Sequence, residues 1–415
     1  MEEWKEYKAL DFCYNVTDGT HDSPKPKEEG YYLITSKHLK DNGIDFASAK
    51  KISEEDYLKV IQRSKVEQYD ILYSMIGTIG NICQVKDEKV DFAVKNMGIF
   101  KMGGDELKSK WLYYWLKSPM SIHYVSSRLA GSTQSYLTLN SLREYPVLVP
   151  SNEKTMKRIV SILSSLDDKI EVNRRINEQL EELAQALFKS WFVDFEPFKD
   201  GEFVESELGM IPKGWKVGTL GDVAMITKGT TPTTLGYSFT YNGIPFIKAE
   251  SIRDNHTIDF DKTTYISSEA NEKLCRSIIK KYDILFTIAG TLGRFCFAPQ
   301  TLEIANTNQA VAIIRVHKLF NPISIYSMLL GKWHTEYCYR NIQQAVQANL
   351  SLGTLKKMPI LIPPFDIIKK YEECIFPIFM KFESLNEEIT HLTNLRDTLL
   401  PKLMSGDIDV NDVEI

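Results

Sequence analysis

No apolar run in the chain approaches the ~18 residues that a membrane-crossing helix needs, and the opening MEEWKEYK is too charged for a secretory signal. A cytosolic protein with no membrane contact is expected. Cysteine is sparse: Cys13, Cys83, Cys275, Cys296, Cys338 and Cys374 lie far apart, with no CxxC and no Cys/His cluster. That spacing argues against a disulfide framework and a zinc site, and leaves Cys83 and Cys296 as small buried hydrophobes inside apolar strands. The seven histidines form no HExxH and no triad-like cluster, and no GxxxxGK[ST] loop is present to cradle nucleotide phosphates, which argues against an ATP-driven motor. A surplus of basic residues is missing too. The net charge of −5 speaks against a uniformly basic nucleic-acid binder. It leaves room for local cationic grooves, from Lys25, Lys27, Lys37, Lys40, Lys50 and Lys51 in one half and Lys228, Lys248, Arg253, Lys280, Lys281 and Arg294 in the other.

What the chain does have is a second copy of itself. YDILYSMIGTIGNIC begins at Tyr69 and YDILFTIAGTLGRFC at Tyr282, so Gly77 and Gly290, Gly80 and Gly293, and Cys83 and Cys296 stand at a constant offset of 213. The offset persists downstream, pairing Gln134 with Gln347, Leu142 with Leu355, and Pro150 with Pro363. Solenoid repeats run to roughly 20–50 residues and need three or more copies, so two copies of this length mean two globular modules with their own cores. The 415 residues allow two to four domains.

Each module begins strand-rich, in GYYLITSKHLKDNGIDF (30–46) and GIPFIKAESIRDNHTIDF (243–260). Helices follow around SEEDYLKVI and SSEANEKLC, with Ser53 and Ser267 as N-caps. Then come YDIL, the Gly-Thr-x-Gly loop, a strand near 92–102 or 304–316, a helical stretch with WLYYWLKSP or IYSMLLGKW, and a proline-bounded strand at 146–150 or 359–363. Mixed α/β modules are expected.

After each closing strand the apolar period changes to alternating steps of four and three. The first seam reads Ile159, Leu163, Leu166, Ile170, Asn173, Asn177, Leu180, Ala184, Leu187, Trp191; the second reads Ile378, Phe382, Leu385, Ile389, Leu392, Arg396, Leu399, Leu403. A helix from about 158 to 192 would span roughly 50 Å and serve as spacer and seam. The competing reading is that each helix only covers its own module's sheet. Buried Asn173 and Asn177 would fix register and partner choice. Pro377 and Pro401 predict a second helix that is kinked or begins late, and ends early.

Two α/β modules, each with YDIL-x4-GT-x-G and a Pro-bounded closing strand followed by a long helix, resemble the specificity subunit of a Type I DNA restriction-modification enzyme over essentially the whole chain. LDDKIEVNRRINEQLEELAQALFKSWFVDFEPF is similar to that family's central conserved region, and FESLNEEITHLTNLRDTLLPKLMSGDI to its distal one. The chain departs from the family after the closing strands, where SNEKTMKRI and PFDIIKKYEE replace a common Glu-Gln pair and touch how the helix starts dock.

The resemblance implies target recognition domains at 1–150 and 197–363, a central conserved helix at 151–196 and a distal one at 364–415. It also implies a pseudo-two-fold arrangement in which two long antiparallel helices separate the modules. Each module would read one half of a split site in double-stranded DNA. The helices, through Leu166, Ile170, Asn173, Asn177, Leu180, Leu187, Phe382, Leu385, Ile389, Leu392 and Leu399, would set the spacing and dock two methyltransferase subunits. Restriction/translocase subunits would join through those. The chain itself would be non-catalytic and hold no cofactor or metal, with S-adenosylmethionine, ATP and Mg on partner subunits. The nearest match to an adenine-methylase motif, Ile362-Pro363-Pro364-Phe365, lacks the leading Asp or Asn, and its repeat partner is Val149-Pro150-Ser151-Asn152, so it reads as a strand terminator. A duplicated protein-binding adaptor is the alternative, and it would lack salt-dependent DNA affinity.

If the modules read different half-sites, shared residues serve the fold or the phosphates and differing residues touch bases. Gly77, Thr78, Gly80 and Gln134, with Gly290, Thr291, Gly293 and Gln347, fall in the shared class. Asn81 against Arg294, Thr133 against Val346, and Tyr136 against Asn349 fall in the differing class; Arg suits guanine and Asn suits adenine in the major groove. Lys228, Thr230, Thr231 and Lys248 are expected on phosphates, and Lys25, Lys27, Ser74 and Thr287 complete the candidate DNA contacts.

Overall fold

The computed structural model describes residues 3–40, 43–129, 135–299, 302–317, 320–331, 333–341 and 349–410. Two compact units divide the chain, Met1–Val172 with Ile389–Ile415, and Asn173–Glu388. The division cuts through two long helices, Glu153–Phe192 and Phe365–Ser405, so each unit holds one α/β module and half of each helix.

In the first unit, β1 (Trp4–Lys8) pairs antiparallel with the proline-bounded β9 (Pro146–Pro150). Between them lie β2 (Asn15–Asp18), β3 (Tyr31–Ile34), β4 (Lys50–Ile52), β5 (Ile71–Ser74), β6 (Ile82–Gln84), β7 (Phe92–Val94) and β8 (Met97–Lys101). They form a four-stranded antiparallel sheet ordered β2-β8-β5-β6 and a three-stranded sheet ordered β4-β3-β7, in which β3 and β7 run parallel. β5, β7 and β8 are buried along their whole lengths, as strands covered on both faces must be.

The second unit repeats this plan. The strands that repeat it are β10 (Lys216–Thr219), β11 (Ala224–Lys228), β12 (Ile244–Ile247), β13 (Thr264–Ile266), β14 (Ile284–Thr287), β15 (Phe295–Phe297), β16 (Asn306–Thr307), β17 (Val311–Val316) and β18 (Pro359–Ile362). The sheets are ordered β11-β17-β14-β15 and β13-β12-β16, and β10 pairs with β18.

Local signals act as the sequence suggests. Ser53 accepts from Asp56 N–H and Ser267 from Ala270 N–H, each satisfying an orphan donor of a helix start. The helix Glu106–Lys117 is capped by Asp105, and its Trp111 and Trp115 indoles donate to the carbonyls of Leu148 and Pro146 on β9 at 3.0 and 2.6 Å. Cys83 and Cys296 are buried in β6 and β15.

The YDIL repeat has a structural cause. Tyr69 and Tyr282 adopt φ of 68° and 64°, turning the chain so that the next residue points inward. Asp70 then accepts from Glu67 N–H, Met102 N–H and Lys101 Nζ, the last at 2.6 Å. Asp283 accepts from Lys280 N–H and, bidentately, from Arg315 at 2.7 and 2.5 Å. Burial pushes the Asp70 carboxyl above its usual range although these donors oppose the shift.

Each unit contains an antiparallel pairing of helix halves. In the first, Arg396 donates to Asp167 at 2.7 Å and Arg158 to the Val410 carbonyl at 3.1 Å, while Ile159, Val160 and Leu163 share a core with Leu400, Leu403 and Met404. In the second, Asn177 donates to Asn386 at 2.8 Å, and Ala184 and Phe188 pack with Tyr371, Ile375 and Phe379. The same halves also sit in the cores of the modules, so seam and sheet cover are one surface rather than alternatives.

The expectation from the prolines needs correction. The second helix runs unbroken through Pro377 and Pro401. Each proline removes one i→i−4 rung, freeing the carbonyls of Glu373 and Asp397; both residues are exposed, so the freed carbonyls belong to residues at the water-facing surface. Among the described residues no helix is long and apolar enough to cross a membrane.

Candidate nucleic-acid interface

Strand register decides what the loops of each module can do together. In the first unit Asp18 at the end of β2 faces Gly98, Ser74 at the end of β5 faces Met97, and Tyr73 faces Ile82. In the smaller sheet the ends of β3 and β7 align, Ile34 beside Val94. The segments that follow, beginning at Gly19, Thr35, Met75 and Lys95, therefore emerge at one end of both sheets. The second unit does the same: Lys228 faces Ala312, Thr287 faces Val311, Phe286 faces Phe295, and Ile247 lies beside Thr307. Its segments begin at Gly229, Lys248, Ile288 and Asn308.

The Gly-Thr-x-Gly loops are built alike. Gly77 and Gly290 have φ of 78° and 77°, and Gly80 and Gly293 have 92° and 88°, a region that strains any side chain with a Cβ. Thr78, Asn81 and Thr291 are exposed on these loops. Tyr136 and Asn349 join them through isolated bridges, Ile76 to Tyr136 and Ala289 to Asn349.

Two predicted contacts are corrected. Ser74 and Thr287 are fully buried. The Ser74 hydroxyl donates to the Ile76 carbonyl at 3.1 Å; the Thr287 hydroxyl is shared with the Thr291 and Arg294 carbonyls and accepts from Arg294 N–H at 2.9 Å. These buried hydroxyls close the loops from beneath.

Arg294 is paired within its own module. Its Nε and Nη2 donate to both carboxylate oxygens of Asp254 at 2.5 and 2.7 Å, and Nη1 approaches the Ile252 carbonyl at 3.3 Å. The donor fork that would grip guanine O6 and N7 is occupied. Asn81 differs: its side chain is exposed and has no partner among the described residues.

The remaining candidates divide. Thr230 is exposed, Thr231 donates to Gln309 Oε1 at 2.6 Å, and Lys228 ends β11 in solvent. Lys248 lies 4.7 Å above the Phe239 ring and 3.8 Å from Glu250. Lys25 is exposed, and Lys27 pairs through its backbone with Lys51, placing it along the edge of the small sheet. Thr133, Gln134 and Gln347 lie outside the described residues.

Sequence reasoning missed Gly19-Thr20. Gly19 opens the loop after β2 as Gly229 opens that after β11, and a Cβ on either would collide with backbone, at 2.4 Å from the Val94 carbonyl and 1.7 Å from that of Thr307. The signal was present, since Gly-Thr recurs at both places, but at an offset of 210 that a search at 213 passes over.

Residues 1–182 and 212–395 match the family described as Type I restriction modification DNA specificity domain. The Type I restriction enzyme MjaIX specificity subunit of Methanocaldococcus jannaschii is 30% identical over 322 residues, covering 74% of this chain and 71% of that protein. The HindI specificity subunit of Haemophilus influenzae is 25% identical over 471 residues, covering 98% of this chain and 100% of that one. Among solved structures, a Type-I restriction-modification system S subunit from M. genitalium aligns over 97% of this chain and 96% of its own, with a TM-score of 0.55 at 19% identity, a likeness of fold.

Proposed function

This chain belongs to the Type I restriction-modification DNA specificity family, and from that premise we propose that its two modules read the two halves of a split DNA site through the loops at one end of their sheets. The carrying observation is the duplication itself: the same four segments emerge at the same sheet end in both units, on scaffolds that agree down to the glycine torsions. The chain is a non-catalytic specificity subunit that works with DNA and with the other subunits of its complex.

In finer detail, residues 1–150 and 197–363 act as the recognition domains, and the helical regions 151–196 and 364–415 as spacer and docking surface for two methyltransferase subunits. A 40-residue helix rises about 60 Å, more than one turn of B-DNA at ~34 Å, so it is long enough to serve two grooves. Backbone N–H groups of the Gly-Thr-x-Gly loops, with Thr78, Thr291, Thr230 and Lys228, meet phosphates, which position without specifying. Asn81, Tyr136 and Asn349 face bases. Methyl transfer from S-adenosylmethionine, and ATP- and Mg-dependent cleavage, take place on partner subunits in the cytoplasm.

The test is modification mapping by single-molecule sequencing of genomic DNA from cells that express the chain beside its methyltransferase, against cells lacking only this chain. A split motif marked in both halves only when the chain is present is the expected result. An unchanged pattern from an active methyltransferase overturns the reading and leaves a protein-binding adaptor in its place.

A further inference from the structure

One pair of side chains sits at the loop end of each module in the same arrangement, and neither was among the candidates read from sequence. In the first module Asn96 lies in the short turn between β7 and β8, where the two sheets meet. Its Oδ1 accepts from His21 Nδ1 at 2.9 Å, while His21 Nε2 lies 3.0 Å from the buried carboxylate of Asp18, which also accepts from Arg63. In the second module Gln309 lies in the turn between β16 and β17, and its Oε1 accepts from the Thr231 hydroxyl at 2.6 Å. His21 and Thr231 are each the second residue after the glycine that abuts the turn, Gly19 or Gly229.

The correspondence survives a change in length. The second turn has one residue more, since Met97 faces Ser74 while Val311, one place later in the repeat, faces Thr287. Asn96 adopts φ of 53°, a conformation asparagine tolerates, so backbone geometry alone could account for it. Gln309 is not among the residues at positive φ. Backbone geometry therefore gives no reason for a carboxamide there, yet one is present, exposed, and held by its oxygen in the same way.

We propose that Asn96 and Gln309 are specificity-determining residues, each reading an adenine in the major groove of one half-site. The inference rests on the chain being a DNA specificity subunit. A carboxamide recognises adenine by donating from nitrogen to N7 and accepting from the N6 amino group at oxygen. Holding the oxygen by one of its two lone pairs orients the group and leaves the second lone pair for N6–H, while the amide nitrogen of each has no partner among the described residues. His21 and Thr231 act as positioning residues: they fix which edge of the amide faces the base and lower the rotamer entropy lost on binding.

The experiment uses the full chain with its methyltransferase partners and maps modified sites for the unsubstituted complex, Asn96→Ala and Gln309→Ala. Each variant is expected to relax one A·T position, in opposite half-sites, with discrimination falling on the order of 10- to 100-fold. Asn96→Asp and Gln309→Glu keep shape and fold but replace the donor with an acceptor. They should lose adenine and tolerate cytosine, whose N4 amino group donates. Placing 7-deazaadenine at the relaxed position should weaken binding by the unsubstituted protein and leave the alanine variant unaffected. A uniform loss across all sites, an unchanged motif or relaxation at a G·C pair overturns the assignment. If the unsubstituted complex marks a split motif and the variants match it, this inference alone fails; if it marks none, the specificity reading fails with it.

Discussion

In the first module the aspartate of YDIL is held by a lysine, and in the second by an arginine. Lys101 is nearly enclosed, with 11% of its side chain exposed, and spends its three donors on Asp70, Glu67 and the Lys65 carbonyl. Arg315, at the matching strand position, grips Asp283 with a planar fork and keeps 28% exposure. One contact, two chemistries: the lysine depends on complete enclosure, whereas the arginine retains access to water. The same division recurs at the loops of the sheet ends. Asn81 is exposed with no side-chain partner among the described residues of the first module, while Arg294, Arg253 and Lys248 in the second are met by Asp254, Asp259 and Glu250. The duplicated scaffold is constant, and the electrostatics laid over it are not.

Removing the aspartates should separate the modules most. Asp70→Ala leaves a buried ammonium short of a partner and is expected to cost about 3–5 kcal/mol of stability in the first unit. Asp283→Ala leaves a guanidinium that can turn toward water and should cost about 1–3 kcal/mol in the second. Hydrogen exchange resolved by module would read both. Equal losses would mean that enclosure does not decide the difference.

Acid should come next. His334 is buried and held down to about 4 by desolvation, against an ordinary value near 6.5; at the corresponding place the first module has Ser121. The first module has its own buried histidine, His38, also lowered chiefly by burial, where the second has Ser251. The sign is the same for both. A depressed histidine pKa means that the unfolded chain binds the proton more readily, so stability is full above about 6.5 and falls as the pH drops below it, for His334 toward about 4. For His334 the loss is about 2–3 kcal/mol. His334→Ser should flatten the acid limb of the second unit's unfolding and His38→Ser that of the first. Flattening in the wrong unit, or in neither, would show that other groups carry the acid response.

How much of this was legible in the sequence depends on which residues are asked about. The 213-residue offset, the N-caps Ser53 and Ser267, the glycines at φ near 80–90° and the helical seam were all readable, because each is a local pattern with a local cause. What could not be read was anything set by pairing between distant strands. Ser74 and Thr287 look like polar loop residues, but register buries them beneath the loops they close. Arg294 looks like a guanine reader until the segment around Asp254 is folded beside it, 40 residues away in sequence. Asn96 and Gln309 were invisible for the same reason: their meaning lies in a hydrogen bond to a loop that joins them only in the folded module.

Base readout should divide the two loops. Asn81→Ala is expected to cost about 1–3 kcal/mol and relax one base position of the first half-site. Arg294→Ala, which removes an exposed pair already committed to Asp254, should cost under ~1 kcal/mol and relax none. Binding of the full complex to a panel of single-base variants would measure both. A relaxed position in Arg294→Ala would mean that DNA pulls the guanidinium away from its carboxylate.

The smallest effect is also the one that probes the acidic neighbours directly. Asp254 is 78% exposed, so its pair with Arg294 adds little to stability and acts mainly by cancelling a charge at the loop. Asp254→Asn releases the guanidinium without altering side-chain size. A released arginine at the rim of the loop should take up a phosphate, adding one counterion to those displaced on binding. The slope of log affinity against log salt should steepen by about 1, equally for cognate and unrelated DNA. The corresponding change in the double variant with Arg294→Ala should vanish. If the slope stays fixed in Asp254→Asn, the loop lies too far from the phosphates for its charge to matter, and the pairing of cations with acids in the second module serves only the fold.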